Sequence, residues 1–531
     1  MNDIASAARE LVDGLMARPW GQVTASVYET GRLVTLVPWL TGHAERVDYL
    51  LRTQRPDGAW GPPDGYDLVP TLSAVEALMS ECRRTSGASD TSTGPRADLS
   101  AAVLRGLEIL PVRLGAGHPL PDMPAVELIV PFLVSLINEH LTGLGAPLPL
   151  PQGMDHSRLE AVRGWIASGA KLPEKLLHAL EIAGSAARGA HAVRPTPIGT
   201  VGASPAATAA WLAAIQDGPV HADLTAEASG AGEATLGAAA ARLHLEAVAR
   251  RHGGPVPVGL PITVFERGWV LSWLARAGIE LDVPPEMIAD LRAAIGPAGT
   301  PAGAGLPADA DTTSVALYAL AMLGAPHEPG SLLAFDLGTH FCTWQGEDGH
   351  SPTVNAHVLD ALGKYVERRP AAGDRYRPVM ARLSGWLASR QRADGAWDDR
   401  WHASPYYATA SCALALDDYG SQENAGSVRR AVTWVLDTQR PDGSWGRWEG
   451  TPEESAYALQ ILLLTRAGDD PRLARAAAEG YRFLRGADLG SQPALWHDKD
   501  LYSPRAVVRA AVLASLHLAE CDRRVSILIR S

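Results

Sequence analysis

The stretch WVLDTQRPDGSWG (residues 434–446) is one of three closely similar segments in this chain of 531 residues. The other two are YLLRTQRPDGAWG (49–61) and WLASRQRADGAWD (386–398), and a degraded copy, WLAAIQDG, begins at Trp211. In each complete copy an aromatic residue lies five positions before a Gln, and a Trp lies six positions after it. Such a repeat predicts a structure that stacks one helical unit several times.

The order of residues within each copy indicates a helix end followed by a tight turn. Apolar residues at helical spacing run up to the Gln, and Asp-Gly favours a turn directly after it. The Gln amide can satisfy carbonyl groups left without partners at the end of a helix. We therefore interpret the Gln and Trp residues as structural, joining helical hairpins into a barrel and leaving the chemistry to other residues.

Helical periodicity also dominates the rest of the sequence. Segments such as TTSVALYALAMLG (312–324) and SAYALQILLLTRAG (455–468) place apolar residues at i, i+3, i+4 and i+7, and many segments end in Gly. No convincing period-two alternation predicts a substantial sheet. The expected fold class is therefore all-α.

Composition excludes several classes of partner and compartment. The net charge is −12 without a basic tract, which argues against a nucleic-acid partner. Four scattered cysteines without CxxC spacing indicate a reducing compartment. The acidic first residues lack the apolar core of a signal peptide, and no apolar run reaches the roughly 18 residues of a membrane span. We expect a cytoplasmic protein without integral membrane association.

The Gln–Trp spacing resembles the QW motif of terpene cyclases with α/α-barrel domains, the squalene–hopene and class II diterpene cyclase family. That resemblance implies two helical barrel domains, called β and γ, with the active site between them. The γ domain would be inserted after the first helix of the β domain. We accordingly predict a β domain from residues 1–21 and 260–531 and a γ domain from residues 22–259.

The stretch DADTT (309–313) stands at the start of an apolar helix. Taken alone, Asp309 or Asp311 would be read as an N-cap, because Asp and Thr are favoured there. Class II cyclases carry a DxDD motif at this point, so the resemblance implies that Asp311 protonates a carbon–carbon double bond and that Asp309 supports it. Here Thr312 replaces the last acid of that motif, which makes Asp309 the expected source of electrostatic tuning.

A hydrogen-bonding partner for the donor is suggested further along the chain. Ser351 and Asn355 are four positions apart and would share one helix face. Plant class II enzymes carry a hydroxyl and an Asn at this spacing, linked to the catalytic Asp. The resemblance therefore implies a catalytic role for Asn355; the alternative is a polar helix start.

Two departures from the family limit how much of its machinery can be transferred. Plant copalyl diphosphate synthases carry an EDxxD-like motif associated with Mg²⁺ and diphosphate, whereas only Asp122 and Glu127 remain in this region. These two are our candidates for Mg²⁺ binding. Plant enzymes also pair a His with an Asn as the terminal base. His178 is present, but Val258 occupies the matching Asn position.

Substrate binding requires cations for a diphosphate and aromatic faces for carbocations. The chain has only four lysines, and surface charge is the alternative reading for each candidate cation. Aromatic rings attract cations by roughly 0.5–2 kcal/mol each. Residues in segments that resemble the family give these substrate-binding candidates: Lys171, Lys499, Arg505, His178, Trp344, Tyr406 and Trp496, with Tyr407 and Tyr502 as further aromatic candidates.

The resemblance implies cyclisation of geranylgeranyl diphosphate to a bicyclic copalyl-type diphosphate, with the ent-copalyl product favoured, as in bacterial secondary metabolism. The diphosphate would survive, since no DDxxD motif of class I synthases is present. The resemblance is also compatible with a homodimer. Alternatives are a rearranged halimadienyl or clerodane-type product, a squalene or meroterpenoid cyclase, which usually has more aromatic residues than the 6% here, and a prenyltransferase-like barrel, for which no zinc site is evident.

Overall fold

A computed structural model of the chain describes residues 2–86, 93–115, 120–187, 190, 192–216, 231–347, 349–466, 470–490 and 492–530. Helices dominate, which confirms the all-α prediction. The α-helices of the described residues are α1 (Asn2–Ala17), α2 (Val27–Leu36), α3 (His43–Arg52), α4 (Leu68–Ser86), α5 (Thr93–Leu114), α6 (Val126–Leu141), α7 (Ser157–Ala167), α8 (Glu174–Leu177), α9 (Pro205–Gln216), α10 (Ala231–His252), α11 (Thr263–Arg276), α12 (Pro285–Ala294), α13 (Ala310–Met322), α14 (Pro352–Arg368), α15 (Gly373–Ser389), α16 (Pro405–Tyr419), α17 (Ala425–Asp437), α18 (Pro452–Leu464), α19 (Leu473–Gly486), α20 (Arg505–Cys521) and α21 (Arg523–Arg530).

Short elements connect these helices. 3₁₀ segments run over Leu180–Ala187, Pro329–Phe335, Pro370–Ala372 and Gln422–Asn424. Strands β1 (Trp496–His497) and β2 (Leu501–Tyr502) form an antiparallel hairpin. Of the helices described, none has the length and apolar character needed to cross a bilayer.

The larger part of the fold is a closed ring of helices. Helix α11 packs against α13, α13 against α14, α14 against α16, α16 against α18, α18 against α20, and α20 returns to α11. Helices α1, α12, α15, α17, α19 and α21 pack around the outside. Because an outer segment returns the chain between consecutive inner helices, the inner helices all begin at the same end of the ring, which we call the mouth.

A second, smaller ring is built from α2, α4, α6, the segment Leu180–Ala187 and α9, with α3, α5, α7 and α10 outside it. The apolar core of the larger ring takes its residues from α1 and from positions 265–525, whereas two further cores lie almost entirely within positions 23–260. The domain boundaries at 21/22 and 259/260 stay a prediction.

The β1–β2 hairpin and the start of α20 lie against the smaller ring. The backbone N–H of Tyr28 donates to Asp500 at 3.0 Å, and Val23 forms a bridge with Pro504. A small apolar cluster joins Tyr66 of the smaller ring to Leu495 and Leu501. The hairpin therefore lies between the two rings, at the mouth of the larger one.

The repeated Gln and Trp residues form nearly identical bonds in all three copies. Nε2 of Gln439 donates to Gly443 O at 3.0 Å and to Ala476 O in α19 at 2.9 Å. Nε1 of Trp445, which follows the turn, donates back to Val435 O of α17 at 2.7 Å. The equivalent bonds are Gln54 to Gly58 and Ala102, Gln391 to Gly395 and Ser427, Trp60 to Leu50 and Trp397 to Leu387. Each Gln thus links two successive outer helices.

The turn glycine of each copy is required by its backbone. Gly395 has φ +103°, and a Cβ built there would lie 2.5 Å from Arg430 O on the next outer helix. Gly58 and Gly443 show the same two features. A side chain at these positions would meet both the strain of positive φ and a backbone clash.

Candidate active site

Asp309 is the N-cap of α13 and is engaged by the backbone on both sides. Its Oδ1 accepts from Thr312 N at 2.6 Å and its Oδ2 from Ala302 N at 3.0 Å. Burial raises the pKa of Asp309 to about 7, against the lowering effect of the Thr312 bond and with a further raising effect from Asp311. Asp309 therefore caps the helix and acts on Asp311 through charge.

Asp311 lies in the first turn of α13 beside a histidine of α14. Nδ1 of His357 is 2.6 Å from Oδ1 of Asp311. Burial alone would lower the pKa of His357, but the adjacent Asp311 carboxylate raises it above its ordinary value. The imidazolium form is therefore favoured, and it donates a charge-assisted hydrogen bond to Asp311.

The structure corrects the predicted role of Asn355. Its amide donates to Phe341 O at 3.0 Å and to Ser351 O at 2.9 Å, while its Oδ1 accepts from Phe341 N at 2.7 Å. Asn355 thus braces the segment before α14 and does not contact Asp311. Because two positions turn a helix by about 200°, Asn355 and His357 lie on opposite faces of α14.

Ser351, the N-cap of α14, connects to a further buried acid. Its Oγ donates to Oδ1 of Asp399 at 2.6 Å, and Asp399 also accepts from Thr353 N and Trp401 N. Burial raises the pKa of Asp399 despite these bonds, and the nearby Asp311 contributes in the same direction. Asp399 directly follows one of the repeats, a position that sequence reasoning treated as structural only.

Aromatic rings surround His357 at the mouth. The indole of Trp269 lies 5.6 Å from the imidazole of His357, edge to face, and stacks on Phe265 at 4.2 Å. Nε1 of Trp269 donates to the hydroxyl of Tyr407 at 2.9 Å, and Tyr407 lies 4.8 Å from Trp496. These rings form an apolar, electron-rich wall beside the acid.

Tyr406 does not belong to this wall, which corrects its predicted role. Its ring lies 4.5 Å from Trp434 of the outer helix α17. The wall is occupied by its neighbour Tyr407, because adjacent helical positions differ by about 100°. Trp496 lies in the aromatic group around the mouth, where Nε1 donates to the buried Glu453 at 2.7 Å. Its role in substrate binding stays a prediction.

A cleft of 870 Å³ lies between the two rings. It is lined by Tyr66, Arg113 and Asp122 of the smaller ring and, among others, by Asp399 and Arg447 on the opposite side. Asp311 does not line this cleft and lies instead beside the aromatic rings described above. Asp399 lines the cleft and lies between it and Asp311.

Lys499 is a buried structural cation, which corrects its predicted role in substrate binding. Its Nζ lies 2.5 Å from Glu29 and 2.9 Å from Glu181, and it donates to Ser204 Oγ at 2.7 Å. The side chain is fully buried. These carboxylates neutralise the ammonium group, so it has no free proton to offer a diphosphate.

His178 is likewise engaged on both ring nitrogens. Nδ1 lies 2.6 Å from Gly202 O, and Nε2 lies 2.8 Å from Asp498. Burial opposes the charge, but Asp498 raises the pKa of His178 above its ordinary value. A doubly donating imidazolium is a poor proton acceptor, so this geometry does not suit a terminal base.

The other predicted cations lie at the surface. Lys171 and Arg505 are both exposed, in the smaller ring and at the start of α20. Trp344 is half-buried, and Nζ of Lys175 lies 4.7 Å above its ring. Trp344 therefore contacts the smaller ring through a lysine that was not among the predicted cations.

Asp122 and Glu127 do not form a magnesium site by themselves. Asp122 pairs with Arg400 at 3.2 Å, and Glu127 lies 3.9 Å from Arg158. Across the part of the chain that the structure describes, no group of three His, Cys, Asp or Glu side chains could hold a metal ion. Their role in metal binding stays a prediction.

An acid paired with a histidine, walled by indole and phenol rings at the mouth of an α/α barrel, defines a class of enzyme. That class is the class II terpene cyclases, which begin by protonating a carbon–carbon double bond.

Comparisons with known proteins identify the family more closely. Residues 347–460 match the family described as squalene-hopene cyclase C-terminal domain. The chain is 41% identical over 530 residues to an ent-copalyl diphosphate synthase of Streptomyces sp. (strain KO-3988), covering 98% of both chains. It is also 41% identical to a labda-7,13-dienyl diphosphate synthase of Streptomyces clavuligerus, covering 98% of this chain and 94% of that one.

A solved structure agrees with these relatives. The ent-copalyl diphosphate synthase from Streptomyces platensis superposes with a TM-score of 0.88 at 42% identity, covering 97% of this chain and 99% of the other. This chain belongs to the class II diterpene cyclases, in the family that contains the bacterial copalyl diphosphate synthases. The prediction made from the repeats and the acid motif is thereby confirmed.

Proposed function

We propose that the protein cyclises geranylgeranyl diphosphate to a bicyclic copalyl-type diphosphate, with the ent-copalyl isomer as the principal product. The observation that carries this proposal is the Asp311–His357 pair facing an aromatic wall at the mouth of the barrel. An acid in this setting can protonate the terminal alkene and leave the diphosphate end untouched.

Asp311 supplies the proton, and its surroundings stabilise the carboxylate that remains. His357 donates Nδ1–H to Oδ1, so the other carboxyl oxygen is available to carry the proton towards the alkene. The first-turn position on α13 places the new negative charge at a helix N-terminus, which favours it. Asp309 opposes it when ionised, but its raised pKa keeps much of it protonated near neutral pH.

The cation formed by protonation needs a wall that neither adds to it nor hydrates it. Trp269, Phe265, Tyr407 and Trp496 present ring faces and edges close to one another beside the acid. Each ring can contribute roughly 0.5–2 kcal/mol of cation–π attraction. Two successive ring closures then yield a decalin cation, and loss of one proton completes the product.

A labda-7,13-dienyl diphosphate is the second candidate product. The relative named for that product is as similar to this chain, at 41% identity, as the first ent-copalyl relative. The two products differ in which carbon loses its proton. Magnesium would reach the site with the diphosphate, because Mg²⁺ commonly uses one or two carboxylates together with substrate phosphates.

The deciding experiment is incubation of the purified protein with geranylgeranyl diphosphate and Mg²⁺, followed by phosphatase and chiral gas chromatography–mass spectrometry. We expect a bicyclic C20 alcohol from the wild type, and none from Asp311→Asn, which keeps the shape of the side chain. A parallel incubation with squalene should give no product. An Asp311→Asn variant with undiminished product would overturn the mechanism.

A further inference from the structure

The last step of the proposed reaction needs a group that accepts a proton. The decalin cation becomes an alkene only when a neighbouring C–H bond gives up its proton, and the choice of carbon separates the two candidate products. Both ring nitrogens of His178 are engaged. Asp399, which lines the cleft, accepts hydrogen bonds on both of its carboxyl oxygens. Neither of these groups therefore offers a free acceptor to the final cation.

Three buried carboxyl oxygens in the described part of the chain have no hydrogen-bond partner: Asp67 Oδ1, Glu181 Oε2 and Glu453 Oε2. Such atoms call for a specific explanation, because buried polar groups are nearly always paired. Asp67 pairs with Arg113 at 2.9 Å. Glu181 pairs with Lys499 at the same distance. No arginine or lysine among the described residues pairs with Glu453, so its unpaired oxygen differs from the other two.

The other oxygen of Glu453 joins this residue to the aromatic wall. Oε1 accepts from Nε1 of Trp496 at 2.7 Å and from the hydroxyl of Tyr457 at 3.1 Å. It also lies 3.2 Å from Nε2 of His402. Because Nδ1 of His402 accepts from Ser404 N at 3.0 Å, Nε2 carries the proton and donates to Glu453. Three donors on one oxygen suit an ionised carboxylate, and its second oxygen stays free.

The three donors to Glu453 are packed against Tyr407 of the aromatic wall. The imidazole of His402 stacks on the ring of Tyr407 at 4.5 Å. The phenol of Tyr457 lies 5.2 Å from the same ring, and the indole of Trp496 lies 4.8 Å from it. Glu453 is fully buried behind these rings. Its carboxylate therefore belongs to the wall that would surround the carbocation.

The phenol of Tyr502 relates Glu453 to the proton donor. Burial raises the pKa of Tyr502. Three carboxyl groups raise this pKa further, in the order Asp498, Asp311 and Glu453. Because the effect of a charge falls off with distance, each of these groups lies near the same ring. Asp311 and Glu453 are thus close to one phenol, as the acid and the base of a single reaction must be.

We propose that Glu453 is the terminal base, the residue that takes the proton from the final carbocation. The inference rests on the proposed function. Oε2 of Glu453 forms a bond to the departing proton, and the electron pair of the broken C–H bond becomes the new carbon–carbon double bond. Glu453 ends the cycle as a neutral acid and gives the proton to water once the product has left. Its position in the wall selects which carbon loses the proton.

The neighbouring residue Glu454 provides a matched control. It is equally buried and lies in the same first turn of α18. Its Oε1 accepts from Ser404 Oγ at 2.6 Å and from Arg447 N at 2.8 Å. Its Oε2 accepts from Thr451 Oγ1 at 2.9 Å. Substitution of either glutamate by glutamine removes a buried carboxylate from this turn, but only the substitution of Glu453 removes a free acceptor.

The test compares the products that Glu453→Gln, Glu453→Asp and Glu454→Gln form from geranylgeranyl diphosphate with Mg²⁺, by gas chromatography–mass spectrometry after phosphatase. Asp311 is intact in every variant, so the rings should still close. Without the terminal base the decalin cation is captured by water or rearranges. We expect the ratio of hydroxylated or rearranged products to the wild-type alkene to rise at least about tenfold in Glu453→Gln. The rise should be smaller in Glu453→Asp, which keeps a carboxylate, and absent in Glu454→Gln.

A purely structural role would lower the yield of folded enzyme and of total product without moving the product ratio. An unchanged ratio in Glu453→Gln would therefore overturn the proposal. If Glu453→Gln does not fold, an unchanged ratio in Glu453→Asp overturns it, because the shorter side chain withdraws the free oxygen from the substrate. An equal shift in Glu454→Gln would also overturn it, since loosening of the turn would account for both. A wild type that forms no bicyclic product would overturn the proposed function itself, and this inference with it.

Discussion

Asp309 and Asp311 stand two positions apart in one motif but have different partners. Asp309 is held by two backbone N–H groups, and Asp311 is held by the side chain of His357. Asp309 therefore performs the capping that the sequence allowed for either residue, and Asp311 is the residue to which we assign the proposed acid–base chemistry. Thr312 contributes its backbone N–H to the cap. The charged side chain beside Asp311 is therefore His357 of α14.

His357 should contribute to turnover far more than Asn355. A charge-assisted hydrogen bond is worth about 1.5–3 kcal/mol, so we expect His357→Phe to lower kcat about 10- to 100-fold with little change in KM. His357→Asn, which restores a neutral donor, should lose less. Asn355→Ala should instead lower the free energy of unfolding, because it removes three bonds to the segment before α14. The reverse ranking of kcat losses would contradict the assignment.

The same pair predicts a pH dependence. The pKa of His357 is raised, so the imidazolium persists above its ordinary range and is lost as the pH rises through the folded-state value. The kcat of the wild type should therefore decline as the pH rises above the ordinary pKa range of histidine. His357→Asn has no such titration and should show a flat limb there. An identical alkaline limb in that variant would assign the titration to another group.

The contribution of Asp309 to the free energy of unfolding should change with pH in the direction opposite to that of a usual carboxylate. Its pKa is raised to about 7 in the fold, so between roughly pH 4 and pH 7 the native state binds a proton that the unfolded chain releases. Its contribution therefore makes the free energy of unfolding fall as the pH rises through this window, by at most about 4 kcal/mol. Urea unfolding at several pH values should show a shallower fall in Asp309→Asn, and an unchanged slope would be the contrary result.

At the scale of elements, sequence alone was sufficient for the repeats. Each Trp bond and one bond of each Gln reach carbonyls within a dozen positions, so spacing determines them. The acid motif could be found for the same reason. The second bond of each Gln, to the next outer helix, depends on the packing of the ring. His357, Trp269 and Asp399 were missed because their meeting depends on the rotation of separate helices within the ring. A histidine two positions beyond Asn355 was visible, but only the register of α14 shows which of them faces the acid.

The hydrogen bonds of the repeats should add measurably to the free energy of unfolding without changing kcat. Gln439→Ala leaves Gly443 O and Ala476 O without their side-chain donor, and we expect a loss of about 1–3 kcal/mol in urea unfolding at unchanged kcat. The exposed Gln345 is a matched control, and Gln345→Ala should cost less than about 0.5 kcal/mol. Equal effects of the two substitutions would show that bridging outer helices contributes nothing.

At the scale of the whole molecule, the Lys499 cluster joins the hairpin to the smaller ring. Lys499→Met would leave Glu29 and Glu181 buried without their cation, and breaking a buried pair costs about 3–5 kcal/mol. We expect a large loss in the free energy of unfolding, partly restored by adding Glu29→Gln and Glu181→Gln. The KM for geranylgeranyl diphosphate should stay close to wild type in the restored variant. A raised KM with normal stability would instead return Lys499 to diphosphate binding.

Helix α1 has a consequence for how the molecule is made. Its apolar face, with Ile4, Ala8, Leu11 and Leu15, packs into the larger ring against α11 and α20, which are encoded much later. During synthesis this helix leaves the ribosome well before α11 and α20, which at usual elongation rates follow only after roughly tens of seconds. Throughout that interval the apolar face of α1 stays exposed to solvent, while the smaller ring can already assemble. The larger ring can close only after α20 has been made, so the nascent chain should depend on chaperones most strongly at α1.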